Sequence, residues 1–165
     1  MADKSVRVEW QGDLGFEATS GLGGTARLAM DDHIAGLRPS EGVLVALGAC
    51  TGADVVSILR KKRQPMSAYH IEVRGHQRAE HPRSFVSIDV LHQIAGEWVD
   101  AEAVRRSIEL SVTRYCAVTA QLASGDVTIS HRYRLGESEP VTVAETGPHG
   151  HLVVFAEQHA GEARG

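Results

Sequence analysis

The sequence predicts an α+β fold, and three observations carry that prediction. Short stretches with alternating apolar residues recur on both sides of one long apolar run, that run has helical length and a helix-start signal, and a later segment carries apolar residues at helical spacing behind a capping residue. At 165 residues the chain fits one domain with a modest core, or one protomer of a dimer whose core is shared.

Taken in order, Val6, Val8 and Trp10 alternate with Arg7, Glu9 and Gln11, the pattern of a strand with one face buried. Gly12 and Asp13 turn it, and residues 14–19 and 25–30 read as two further strands around a glycine-rich turn, completing a small antiparallel meander. A polar loop, 31–37, then delivers the chain to a helix. Pro39 sets φ for its start, Ser40 or Glu41 satisfies first-turn amides, and from Val43 to Leu59 the only charged residue is Asp54. Such a helix is expected to be buried. Gly48, Gly52 and Asp54 interrupt it, so it is expected to be too short and too broken to span a bilayer. Its end is expected near Arg63, where the basic run 60–63 complements the helix dipole.

Tyr69, Ile71 and Val73, then Val86, Ile88 and Val90, alternate with polar residues on either side of a turn and predict a long hairpin. Asp100 is placed to cap the next helix, with Val99 and Val104 as a hydrophobic staple and Val104, Ile108, Val112 and Tyr115 on its inner face. Cys116, four residues after Val112, is assigned to the same face. A short apolar turn over 117–123 leads to a strand bearing Val127, Ile129, His131, Tyr133 and Leu135. Composition changes after residue 136, so 1–136 is read as the main domain and 137–165 as an extension, with a hairpin from Val141 and Val143 to 152–155 and a disordered last ten residues.

A net charge of −4 gives no basic excess to attract nucleic acid or anionic lipid, and neither nucleic acid nor membrane is an expected partner. The N-terminus lacks the apolar stretch of a signal peptide, which points to the cytoplasm. In that compartment a cysteine pair serves redox chemistry or metal binding more often than structural bridging.

The chain has two cysteines, Cys50 and Cys116. A cysteine attacks as thiolate and needs a neighbour that lowers its pKa. Cys50 lies some ten residues past the helix start, beyond the effective reach of the dipole, so Arg27, Arg38 and His33 are the available groups before the helix. A second thiol nearby would trap an oxidised Cys50 as a disulfide. Equally, a cysteine in an apolar helix is often a small hydrophobe, and the residues leave both readings open. Two cysteines this far apart, with neither C-x-x-C nor H-x-x-x-H, form no metal signature, and no metal or cofactor is expected. His70, His76, His81, His92 and His131 fall on strands or turns, where a solvated or hydrogen-bonded imidazole is expected.

At these residues the chain resembles the OsmC/Ohr family of osmotically induced and organic-hydroperoxide-resistance proteins. PSEGVLVALGAC over 39–50 is similar to the family's P-x-E-L-L-x-A-L-x-x-C, and AVRRSIELSVTRYCAV over 103–118 to its A-x-x-x-A-x-x-x-Y-C-x-V. The likeness covers about residues 4–135, and the run from Cys50 to Arg60 resembles the less characterised YhfA-like branch. It implies an OsmC-like fold: an intertwined homodimer with long central helices packed between two antiparallel sheets and an active site at the dimer interface. It also implies a thiol peroxidase in which Cys50 attacks the hydroperoxide, organic in preference to hydrogen peroxide, and Cys116 resolves it. A dithiol reductant then reopens the disulfide, the whole serving oxidative stress defence. The family pairs an Arg with the thiolate and a Glu with that Arg. Glu41, nine residues before Cys50, is the family-like acid, whereas the organic-hydroperoxide branch carries its Glu ten before, where Ser40 stands here. Arg27 and Arg38 are the candidate arginines, Arg27 the favoured one. The alternative expectation is a dimer that binds a small hydrophobic ligand, with the cysteines as redox sensors or core residues.

Overall fold

The computed structural model describes residues 3–156, and the chain divides into two compact units, residues 1–46 and 47–165. Helix α1, Pro39–Lys61, begins in the first and continues into the second.

In the first unit β1 (Val6–Trp10), β2 (Gly15–Ser20) and β3 (Thr25–Ala29) form the expected antiparallel meander, in the order β1-β2-β3. The burial of β1 departs from expectation. Val6, Val8 and Trp10 are 70%, 56% and 68% exposed, because nothing among the described residues covers their face. After β3 the loop returns alongside it, with Leu37 N–H donating to Arg27 C=O and Ala29 N–H to Leu37 C=O. The start of α1 uses the reciprocal half of a capping box: Glu41 Oε2 accepts from the backbone N–H of Arg38 at 2.8 Å, with Pro39 between them as the first helical residue.

The second unit is a five-stranded sheet covered by helices. Strands β4 (Ala68–Gln77), β5 (Phe85–Ala95), β6 (Thr128–Leu135), β7 (Val141–Thr146) and β8 (Leu152–Val154) lie in sequence order. The β4–β5 hairpin is antiparallel as predicted, whereas β5 and β6 run parallel, so this sheet is mixed rather than wholly antiparallel. The parallel step requires a crossover, supplied by α2 (Ala101–Leu110), a π turn (Ser111–Tyr115) and α3 (Ala117–Ala123). Asp100 caps α2 as expected, its carboxylate accepting from the N–H groups of Glu102 and Ala103.

The core forms where the inner faces of α1, α2 and the sheet meet. Val55, Leu59, Ile94, Val104, Ile108 and Val143 are fully or almost fully buried there, so β7, downstream of residue 136, contributes to the main core. The hairpin expected after residue 136 is present as β7 and β8, and the last ten residues lie outside the described residues except for the first of them. Gly48 and Gly52 are packing residues rather than interruptions of α1. A Cβ at Gly48 would stand 3.0 Å from Val73 and one at Gly52 2.6 Å from Ile71, so α1 lies against β4 at a separation that glycine permits.

Two expectations about α1 need correction. It ends at Lys61, close to the expected end near Arg63, but at 23 residues it is long and apolar enough, by length and composition, to cross a membrane. It is also not buried on all sides: Leu47, Thr51, Val55 and Leu59 face the core, while Val43 and Val45 are exposed.

Candidate functional site

Helix α1 carries Cys50 and, one turn later, Asp54, so both side chains leave the helix on one face. Cys116 reaches the same place from the crossover. Its sulfur, the Cys50 sulfur and a carboxylate oxygen of Asp54 all lie within 4.8 Å of one another. Cys50 and Asp54 are half-buried, and Cys116 is 3% exposed.

Cys116 is buried for a different reason from the one its spacing suggests. The helix does not continue to it: the chain widens into the π turn, closed by Cys116 N–H donating to Ser111 C=O at 2.8 Å, and Cys116 itself is extended. A π turn inserts one residue into the helical repeat and so rotates the residues beyond it. Tyr115, expected on the inner face, is consequently 54% exposed, and Cys116 becomes the N-cap of α3, its sulfur accepting from Thr119 N–H at 3.3 Å. Burial pushes the Cys116 thiol up to about 11, opposed by the Thr119 hydrogen bonds and reinforced by the neighbouring Cys50.

Ser111, the first residue of the π turn, is buried and donates its hydroxyl to Asp54 Oδ2 at 2.8 Å. This bond joins the crossover to α1 beside the two sulfurs. Sequence reasoning assigns a role to neither Asp54 nor Ser111. The available signal is modest: a single charge four residues after a cysteine in an otherwise apolar helix.

The other sequence-selected residues belong to the first unit. Arg27 is exposed on β3, opposite Glu17 of β2, at a surface cleft shared with Phe16 and Ile34. Arg38 pairs its guanidinium with Asp32 and donates to Met30 C=O at 3.2 Å. Glu41 is engaged with the backbone of Arg38 as the cap of α1, rather than with a guanidinium.

Two of the strand histidines are buried; His92 keeps the hydrogen bond that the sequence reading allows for, while His131 departs from the expected solvated or hydrogen-bonded state. His92 on β5 and His131 on β6 are fully buried, and their rings stack at 6.1 Å. Tyr69 Oη is 2.7 Å from His92 Nδ1, while neither ring nitrogen of His131 has a hydrogen-bond partner among the described residues. Burial, helped by His131, lowers the His92 pKa to about 3, and burial lowers that of His131 to about 4 against the pull of Asp89.

Residues 30–132 match the family described as OsmC-like protein. The chain belongs to the OsmC-like family. Within it, the chain is 35% identical to Protein YhfA of Escherichia coli strain K12 over 132 residues, covering 79% of this chain and 96% of that protein. Among solved structures, a hypothetical protein from Aquifex aeolicus VF5 is 30% identical with a TM-score of 0.70, over 83% of this chain and all of the other. The organic hydroperoxide resistance protein OhrB of Bacillus subtilis has a TM-score of 0.54 at 15% identity, over 82% and 98% of the two chains, a likeness of fold. In this OsmC-like chain the two family motifs carry the two cysteines that the fold brings together.

Proposed function

We propose that the protein is a cysteine-dependent hydroperoxide reductase with Cys50 as the peroxidatic and Cys116 as the resolving residue. The observation that carries this reading is the meeting of two sulfurs within 4.8 Å from helical segments far apart in sequence, in a chain of the OsmC-like family. Their environments are unequal in the sense the cycle requires. Cys50 is partly accessible to a peroxide, whereas Cys116 is buried and held as a thiol until it is needed.

The Cys50 thiolate attacks the terminal peroxide oxygen, the O–O bond breaks, and the departing alkoxide takes up a proton to leave as alcohol. Cys50 is then a sulfenic acid. Cys116 attacks the Cys50 sulfur, the S–S bond forms, and the hydroxyl leaves with the thiol proton as water. A dithiol reductant returns two electrons and two protons and is itself oxidised to a disulfide. Arg27 or Arg38, with Glu41, is proposed to favour the thiolate, in the manner the family resemblance implies. A homodimer in the cytoplasm is the proposed working form, and the uncovered apolar residues of β1 are the kind of surface a second copy would bury.

The test is a titration of reduced protein with one equivalent of cumene hydroperoxide, then of hydrogen peroxide, with thiols counted and disulfides mapped by mass spectrometry. The expected result is rapid loss of both thiols into a Cys50–Cys116 disulfide, faster with the organic peroxide. Peroxide consumption retained after Cys50→Ser would reject the mechanism.

A further inference from the structure

Asp54 has no part in the peroxidase cycle, yet its carboxylate is the third member of the cluster. We propose that Cys50, Asp54 and Cys116 form a binding site for a thiophilic divalent cation of the Zn2+ type, taken up by the reduced protein and expelled when the disulfide forms. The site uses the same thiol pair as the proposed peroxidase but rests only on the geometry of three side chains, not on turnover.

Three observations carry it. First, the donor set is two sulfurs and one carboxylate oxygen, all within 4.8 Å of one another. Around a tetrahedral zinc, with Zn–S of about 2.3 Å and Zn–O of about 2.1 Å, the donors are separated by about 3.5–3.8 Å. The three groups therefore need to close by only about 1 Å. A Zn2+ so held keeps a fourth position for water, and thiolate donors select against Mg2+ and Ca2+.

Second, the carboxylate is oriented. Ser111 Oγ donates to Asp54 Oδ2 at 2.8 Å from a fully buried position, which is how metal-ligating carboxylates are commonly fixed. Cys50 and Asp54, one helical turn apart, present two ligands from one face, and Cys116 is held independently by its backbone bond to Ser111 and by the Thr119 amide. Third, no described basic side chain of the second unit forms an ion pair with Asp54, so a half-buried carboxylate stands beside two thiols with no cation from that unit paired to it. A dication supplies that charge. On binding, two S–H bonds are replaced by two Zn–S bonds and two protons pass to solvent. Formation of the S–S bond removes both thiolates, so metal and disulfide are mutually exclusive.

The test uses Co2+ as a spectroscopic probe and Zn2+ as competitor on the reduced, full-length protein. Thiolate-to-cobalt charge transfer gives a near-ultraviolet band that histidine coordination does not, which separates this site from the nine histidines of the chain. The expected result is a band saturating at one Co2+ per chain, bleached by Zn2+ and absent from the peroxide- or diamide-oxidised protein. Asp54→Asn, nearly isosteric and still able to accept from Ser111, is expected to weaken Co2+ binding at least tenfold. Cys50→Ser and Cys116→Ser are expected to weaken it at least a hundredfold. Asp54→Ala serves as a second variant should Asp54→Asn fail to fold by circular dichroism. No band in the reduced protein, or an affinity unchanged in the folded Asp54 variant, would overturn the proposal. Failure of the peroxidase would show separately, as absent turnover in metal-free protein with the cobalt band intact.

Discussion

Acidification is expected to destabilise the second unit through two buried residues outside the thiol cluster, His92 and His131. Both are fully buried, on adjacent strands of the sheet, and both stay neutral in the folded state until the pH reaches about 3 and about 4. In the unfolded chain each titrates near the ordinary value of about 6.5. Above that pH neither state binds the proton and the contribution to stability is fully present. Below it the unfolded state takes up two protons that the folded state refuses, so stability falls as pH falls from about 6.5 towards about 4. At pH 5.5, one unit below the unfolded pKa, each histidine costs a factor of about ten in the folding constant. Together they cost about a hundredfold, or about 3 kcal/mol, a large share of a typical domain stability of 5–15 kcal/mol. The groups facing the pair are Tyr69, hydrogen-bonded to His92 and kept protonated by burial, and Asp89, which moderates the shift at His131. Urea unfolding followed by far-ultraviolet circular dichroism at half-unit intervals from pH 7.5 to 5 gives the proton number from the slope. His131→Leu should reduce that slope by about one proton while leaving the β5–β6 pairing intact. A slope near zero between pH 6.5 and 5, or the same slope in His131→Leu, would refute the reasoning.

Other expectations rest on single contacts. In the proposed cycle, Cys116→Ser should still consume a first equivalent of hydroperoxide, converting the Cys50 thiol to sulfenic acid with no intramolecular disulfide, and a second equivalent should carry it on to sulfinic acid, each step read as one added oxygen mass. Gly96→Ala would place a Cβ 2.3 Å from the Pro65 carbonyl oxygen and 2.8 Å from Val99, contacts with backbone and a branched side chain that cannot simply swing away. A loss of about 2–3 kcal/mol in chemical unfolding is expected, and a loss under half of that would mean the turn relaxes freely. Asp100→Ala removes acceptors for two first-turn amides of α2 and should cost about 1 kcal/mol, with Asp100→Asn recovering most of it in the same assay.

Much of the fold is legible where local chemistry decides. The alternation through Tyr69–Val73 and Val86–Val90 specifies the β4–β5 hairpin, and Pro39, Glu41 and Asp100 mark helix starts that the backbone then uses. Legibility ends where burial depends on distant partners. Val6, Val8 and Trp10 alternate as a half-buried strand does, but nothing among the described residues covers them. His92 and His131 read as ordinary strand histidines, because nothing local announces that helices close over their face of the sheet. The site divides in the same way. Both cysteines stand out through their motifs, but the π turn that swings Tyr115 outward and makes Cys116 a cap has no local marker, and Asp54 becomes notable only once Ser111 is brought to it from the crossover. The positions of Arg27, Arg38 and Glu41 are readable as strand, loop and helix start, and Glu41 acquires a capping duty that its spacing from Cys50 does not suggest.

The parallel step between β5 and β6 has a consequence for how the protein matures. A parallel pair cannot be joined by a tight turn, so the whole segment from residue 96 to 127 must wrap across the sheet before β6 finds its register. Cys116 travels on that segment, while Cys50 waits on a helix completed earlier in synthesis. Until the wrap is finished the proposed resolving thiol is not beside the proposed peroxidatic one, so, in the proposed cycle, a peroxide pulse during translation should carry Cys50 past the sulfenic stage to irreversible oxidation. The same pulse applied a moment after release should merely join it to Cys116.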